Sequence, residues 1–477
     1  MADFSFFWHD YETFGRDPRR DWPAQFAGVR TDAALNEVAA PAVWYCQPPD
    51  DRLPEPEACL LTGITPQHCR ALGLAEHEFA ARIHAELATP GTVGAGYNSI
   101  RFDDEVTRHL LWRNLIDPYG REWRDGCGRW DLLDALRCAH ALRPDGIAWP
   151  RGDDGRASFR LELLSEANGL AHEAAHDALS DVRATIALAR LLRRSQPRLW
   201  DFCLKLRAKD AVWAEIGVGR PFLHVSGRYP VERGCLALVW PLAAHPLNRN
   251  ELVVWDLAQD PTELLTLDAD AIRARLFVRD DELPDGVARL PIKTIHVNRS
   301  PVVIGNAATL STAMAERWGI DRAAWARHAD AARGAQAALA GLGAGVWPAV
   351  FARPAPASRP DVDEDLYGGF VGDDDRRRLD RLRRDAPRRP PRPPSFHDPR
   401  LDELVLRWRA RNFPATLSDD EAAQWRQHRR ERLIDGAGGA VTLARFQERV
   451  DALADGADER GEAILGALAD WAGEIAP

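Results

Sequence analysis

The chain has no stretch of about 18 or more uncharged apolar residues, so no segment reads as a membrane span. Its start, MADFSFFWHDYETFG, has no basic n-region and carries Asp3 and Asp10. It reads as the first strand of a domain rather than a signal peptide, and a cytoplasmic location is expected by default. Cysteine occurs seven times, at Cys46, Cys59, Cys69, Cys127, Cys138, Cys203 and Cys235, an odd number with no C-x-x-C pair. That spacing fits neither a disulfide framework nor a structural zinc site, and it leaves buried or incidental thiols in a reducing compartment. An excess of basic charge is also missing: 62 Lys and Arg face 72 Asp and Glu, for a net charge of −10. This average does not suggest a nucleic-acid ligand, but a phosphate backbone is bound by a local basic groove. Basic residues do gather, at Arg108 with Arg113, at Lys205 with Arg207 and Lys209, and between Arg376 and Arg392.

What is present suffices for more than one core. At 477 residues, two to four domains are expected, and 45% hydrophobic with 28% charged residues is ordinary for a soluble globular protein. The first roughly 195 residues read as an α/β unit. Phe4 to Phe14 is an aromatic-rich strand, Gln25 to Thr31 and Val43 to Cys46 form a plausible antiparallel pair, and TPGTVGAGYN is a buried strand ending in a loop. DDEVTRHLLWRNL, from Asp103, carries Val106, Leu110, Leu111 and Leu115 at helical spacing, and DVRATIALARLLRRS, from Asp181, is a second amphipathic helix with a cationic end. From about 220 to 305, PFLHVSG, LALVWPLA, ELVVWDLA and KTIHVN are short β segments between turns, with ADAIRARLF as a helical insertion, and together they predict a small antiparallel barrel. Helical texture returns between Ala307 and Leu342. Residues 353 to 400, including APRRPPRPPS, predict a linker without regular structure, and the remainder is helical and highly charged.

Three elements carry chemistry. Asp10 and Glu12 lie two apart on a strand and so project from one face. Carboxylates that close resist ionisation unless a cation sits between them, and hard oxygen ligands suit Mg²⁺ or Mn²⁺. Asp103 follows a Gly-Tyr-Asn loop at a helix start, where it is equally an N-cap residue when taken alone. His176 and Asp181 form H-x4-D. On one continuous helix they would diverge by about 140°, so the useful geometry puts His176 on the preceding loop and Asp181 in the first turns. The histidine then serves as general base while Asp181 completes a metal site. Singly, each element is common.

Their order resembles that of DEDDh exonucleases. Longer segments, HDYETFG, PAQFAGVRTD, LTGITPQ, GYNSIRFDDEVTRH, RWDLLDALR, SFRLELLSEANG and AHDALSDVRATIA, resemble the bacterial exonuclease I family. PLAAHPLNRNELVVWDLA resembles its SH3-like domain, and RWRARNFPATL with WRQHRRERL its C-terminal domain. The resemblance implies an α/β, DnaQ-like (RNase H-like) exonuclease domain with a mixed sheet over 1–196. An SH3-like β-barrel domain over 197–350 and a C-terminal helical domain over 351–477 follow, the last with a Pro/Arg-rich linker about 380–395. The implied activity is processive 3′→5′ degradation of single-stranded DNA to 5′-mononucleotides in repair and recombination, with two Mg²⁺ per site and Mn²⁺ as a substitute.

It further implies metal ligation by Asp10, Glu12 and Asp181, with Asp103 completing the set and His176 as base. Glu12 and Arg160 hold the substrate, and Arg108, Tyr119, Trp123 and Arg137 lie in segments similar to those around the family's cleft. Arg108 is the expected phosphate contact, and Tyr119 and Trp123 are base-stacking or core aromatics. RWRARNFP and His245 to Arg249 are expected to supply DNA-facing cations. The implied partners are single-stranded DNA and the acidic C-terminal tail of single-stranded DNA-binding protein, the latter through Arg143 and Phe202. A monomer without membrane attachment is expected. Three alternatives stay open on the five residues alone: a DEDDh ribonuclease, a non-catalytic DNA-binding scaffold, and a proofreading subunit that works only inside a polymerase.

Overall fold

The computed structural model describes residues 4–170, 177–217, 219–341, 345–352, 360–385 and 395–477. The chain forms two compact units that do not follow sequence order: 1–128 with 172–186 and 358–477, and 129–171 with 187–357.

In the first unit, β1 (Ser5–Thr13) is buried over most of its length, as its aromatic run on both faces requires. It pairs antiparallel with β2 (Pro23–Thr31), which pairs antiparallel with β3 (Ala42–Tyr45), and parallel with β4 (Thr92–Gly96) on its other side. The mixed sheet and the expected strand pair are both observed. Strand β4 is small-residue-rich because the backbone passes close: a Cβ on Gly96 would lie 2.8 Å from the His9 carbonyl oxygen. The chain leaves this unit along β5 (Gly128–Asp131).

The helix Asp103–Arg113 was expected to be amphipathic. Instead every one of its residues is buried. Its cations are accommodated by partners: Arg113 pairs with Glu76 at 2.9 Å and Arg108 with Glu122 at 2.7 Å. The C-terminal helices of this unit share its cores. Phe446, Val450, Ile464, Leu465 and Leu468 pack with Phe26, Cys69 and Phe79, and Trp408 and Leu401 pack with Trp112.

One expectation is corrected here. Within the predicted linker, Asp373–Asp385 is an α-helix. Leu379 and Leu382 are buried in the Trp112 core, and Asp–Arg pairs at i,i+3, such as Arg378–Asp375 and Arg383–Asp380, brace its surface. Residues 353–359 and 386–394, the latter holding all of APRRPPRPPS but its final Ser395, lie outside the described residues.

The second unit holds a five-stranded antiparallel sheet in the order β10-β6-β7-β8-β9. Its strands are β6 (Phe222–Val225), β7 (Leu236–Ala244), β8 (Glu251–Asp256), β9 (Ile292–His296) and β10 (Val302–Ile304). The predicted insertion is the helix Ala269–Phe277. Gln336, on the long helix Arg322–Gly341, accepts from the Trp240 indole and donates to the Leu242 carbonyl, fastening that helix to β7. All seven cysteines are free, and no helix among the described residues is long and apolar enough to cross a membrane.

Candidate active site

Strand alternation delivers Asp10 and Glu12 to one face, and the helix Ala178–Ser195 delivers Asp181 from its first turn. Ligand oxygens of these three carboxylates all lie within 4.8 Å of one another. Asp177 caps the helix: its Oδ2 accepts the Ser180 N–H at 3.1 Å and its carbonyl accepts the Asp181 N–H at 3.1 Å. Asp103 stands one step behind the trio. Its Oδ1 accepts the N–H of Tyr11, the residue between Asp10 and Glu12, at 3.1 Å, and it is 3% exposed. Thr107 then links the helix back to the Tyr11 hydroxyl at 2.9 Å.

The electrostatics of this cluster point to a cation. Burial, followed by the charges of Asp181 and Asp177, pushes Asp10 well above the usual carboxylate range. Burial, then Asp10, Asp181 and Asp177, raises Glu12 to about 9. Asp103 is likewise pushed up by burial and by Asp10. Buried carboxylates that converge in this way fit a divalent cation, whose charge offsets the repulsion. The donor set is hard oxygen, as such an ion requires.

The other expected site residues divide. His176 lies outside the described residues. Arg160 is exposed at the start of the helix Leu161–Ala167, in the second unit. Trp123 is 65% exposed, with the Arg124 guanidinium 5.2 Å from the centroid of its ring. One expectation is corrected by burial. The Arg108 guanidinium is 4% exposed and donates to both oxygens of Glu122, to Glu105 and to the Tyr367 hydroxyl, so it is neutralised inside the fold rather than offered to phosphate. Tyr119 is half-buried against the Trp112 core, beneath Arg108, and reads as a core aromatic. Arg137 is tied to Asp134 at 2.7 Å, in the second unit.

The basic RWRARNFP segment is corrected in the same way. Arg407, Arg409 and Arg411 are buried in ion pairs with Asp361 and Asp363, with Glu421, and with Asp51 and Asp363 respectively. His245 is buried on the Phe351 ring with its Nδ1 accepting two backbone N–H groups, whereas Arg249 is exposed. Arg143 is exposed and donates to the carbonyls of Leu142 and Thr309, and Phe202 packs partly buried on the second unit's core. The residues missed in the sequence are Asp177 and Gln25. No local signal marks Gln25, which only the strand register sets directly opposite Glu12.

Comparison with known proteins adds the family. Residues 7–189 match a family model described as Exonuclease, 207–351 the Exonuclease I SH3-like domain, and 360–475 the Exonuclease I C-terminal domain. The first match defines the class: an exonuclease domain built around the carboxylate cluster. Exodeoxyribonuclease I of Escherichia coli (strain K12) is 44% identical over 99% of this chain and 98% of its own. A moderately thermophilic Exonuclease I from Methylocaldum szegediense has a TM-score of 0.92 at 47% identity, covering 99% of each chain. The zinc ion bound form of the E. coli ExoI–ssDNA complex has a TM-score of 0.91 at 42% identity, covering 99% of this chain and 100% of that one.

The chain belongs to the exodeoxyribonuclease I family. The ribonuclease, scaffold and proofreading-subunit alternatives therefore fall away, and the expected exonuclease, SH3-like and C-terminal parts are all present in order.

Proposed function

We propose that this chain removes 5′-mononucleotides processively from the 3′ end of single-stranded DNA, using Asp10, Glu12 and Asp181 to hold Mg²⁺. The observation that carries the reading is the three-carboxylate cluster, and the strand and zinc ion of the E. coli complex support it. Asp103 serves as the further carboxylate for a second ion, and Mn²⁺ can replace Mg²⁺. When bound, the cations neutralise the cluster and polarise the scissile phosphate and the attacking water.

The chain's own groups do the rest. A buried strand and a capped helix start hold the carboxylate oxygens in place before substrate arrives, so little reorganisation is needed at reaction. His176 takes the proton from the attacking water. Arg160 supplies a cation to the DNA, and the exposed ring of Trp123 offers a face on which a base stacks. We assign exonuclease, SH3-like and helical domains to about 1–196, 197–350 and 351–477. The chain is read as a cytoplasmic monomer, in keeping with its seven free cysteines. Arg143 and Phe202 are read as receiving the acidic tail of single-stranded DNA-binding protein.

Two experiments test this. Mononucleotide release from a single-stranded oligonucleotide should stop on chelation, return with Mg²⁺ or Mn²⁺, and fall by about a thousandfold or more in Asp181→Asn. Undiminished release in that variant contradicts the ligand assignment. A fluorescent acidic-tail peptide should bind the parent and bind Arg143→Ala less tightly. Equal affinity removes Arg143 from the docking site.

A further inference from the structure

Gln25 stands in a row that crosses the sheet: the Cα register sets it opposite Glu12 on β1 and opposite Tyr45 on β3. Directly opposed residues on neighbouring strands project to one face, so the Gln25 amide shares the face that carries Asp10 and Glu12. It is 2% exposed and fully engaged. Oε1 accepts the Ala178 N–H at 3.3 Å, while Nε2 donates to Asp177 Oδ1 at 3.3 Å and meets the Tyr45 hydroxyl at 3.2 Å. A backbone N–H can only donate and a carboxylate can only accept, so these two partners fix the amide's orientation.

The N–H groups of a helix's first turn have no partner within the helix. Here they are supplied from the metal-binding face. Gln25 takes the Ala178 N–H, and Asp177, itself held by Gln25, takes that of Ser180. Asp181 is the next residue, its own N–H bonded to the Asp177 carbonyl. Turning or sliding this helix, and with it Asp181, breaks the Gln25 bonds.

We infer that Gln25 is a positioning residue for the reaction: acting through Asp177 and Ala178, it holds Asp181 at the spacing from Asp10 and Glu12 that a divalent cation needs. The inference rests on the reading of those three carboxylates as cation ligands. A glutamine that merely satisfied a buried strand would leave cation affinity untouched.

The test compares the full-length parent with Gln25→Leu, Gln25→Glu, and Gln25→Glu combined with Asp177→Asn. Mn²⁺ binding is measured by calorimetry without DNA, alongside kcat, KM for single-stranded DNA, and melting temperature. Gln25→Leu should weaken Mn²⁺ binding about ten- to hundredfold, as loss of a ligand-orienting partner does, and lower kcat with KM unchanged. Gln25→Glu sets a carboxylate against Asp177 and should do the same. Adding Asp177→Asn restores a donor and an acceptor in exchanged order, at the parent's charge, and should recover affinity.

Parent-like Mn²⁺ affinity in Gln25→Leu, or a double variant no better than Gln25→Glu, overturns the inference. Should Gln25→Leu fail to fold, the exchange pair decides it. A parent that binds no Mn²⁺ overturns the ligand reading and this inference together, whereas a binding parent with an indifferent Gln25→Leu overturns this inference alone.

Discussion

Arg411 grips Asp51 with two hydrogen bonds, Nε to Oδ1 at 3.1 Å and Nη2 to Oδ2 at 2.8 Å, between residues 360 positions apart. The same guanidinium reaches Asp363, and neither aspartate is exposed at all. Burial alone pushes Asp51 up, but the Arg411 guanidinium beside it holds it well below the usual carboxylate range. The pair therefore fastens the C-terminal helices to the sheet-bearing part of the same unit. Removing one partner strands a buried charge, so Arg411→Met should cost about 3–5 kcal/mol of stability. Urea unfolding of the unit checks this, and a loss below about 1 kcal/mol would mean that the pair is not a fastening.

Three buried histidines set a second expectation. Burial, the largest cause in each, lowers His9, His109 and His140 from about 6.5 to about 4. Below the unfolded value near 6.5 the unfolded chain takes up protons that the folded chain refuses. Their contribution is thus complete above pH 6.5 and declines as pH falls toward 4, by about 1.4 kcal/mol per pH unit per histidine at most. The urea midpoint should fall through that window, and the fall should be shallower in His109→Gln. An identical slope in that variant would exclude His109 as a contributor.

Trp123 is the aromatic among the expected DNA contacts that remains open to solvent. Trp123→Ala should weaken single-stranded DNA binding by about 1–3 kcal/mol, the worth of one base stack, with little change in melting temperature. Fluorescence anisotropy with Ca²⁺ in place of Mg²⁺ measures it. Unchanged affinity would leave Trp123 as a surface residue with no part in binding.

The legible parts of this protein were those that local geometry decides. Asp10 and Glu12 share a face because strands alternate, and Asp181 sits in the first turn because its helix pattern begins there. What escaped depends on contacts made across the chain. Arg108, Arg407 and Arg411 look like exposed cations in sequence, yet Glu122, Asp361, Asp363 and Asp51 neutralise them from distant segments. Gln25 was hidden because only strand register sets it opposite Glu12. The helix Asp373–Asp385 was masked by the Pro- and Arg-rich composition around it, although Leu379 and Leu382 mark its buried side.

The most direct test of the account is strand polarity with metal dependence. Single-stranded DNA labelled at either its 3′ or its 5′ end is incubated with the protein and Mg²⁺, beside duplex DNA, RNA and the Asp181→Ala variant. Immediate loss of the 3′ label as mononucleotide is expected, with late loss of the 5′ label, little action on duplex or RNA, and no activity in the variant. Loss of the 5′ label first, or activity surviving in Asp181→Ala, would contradict it.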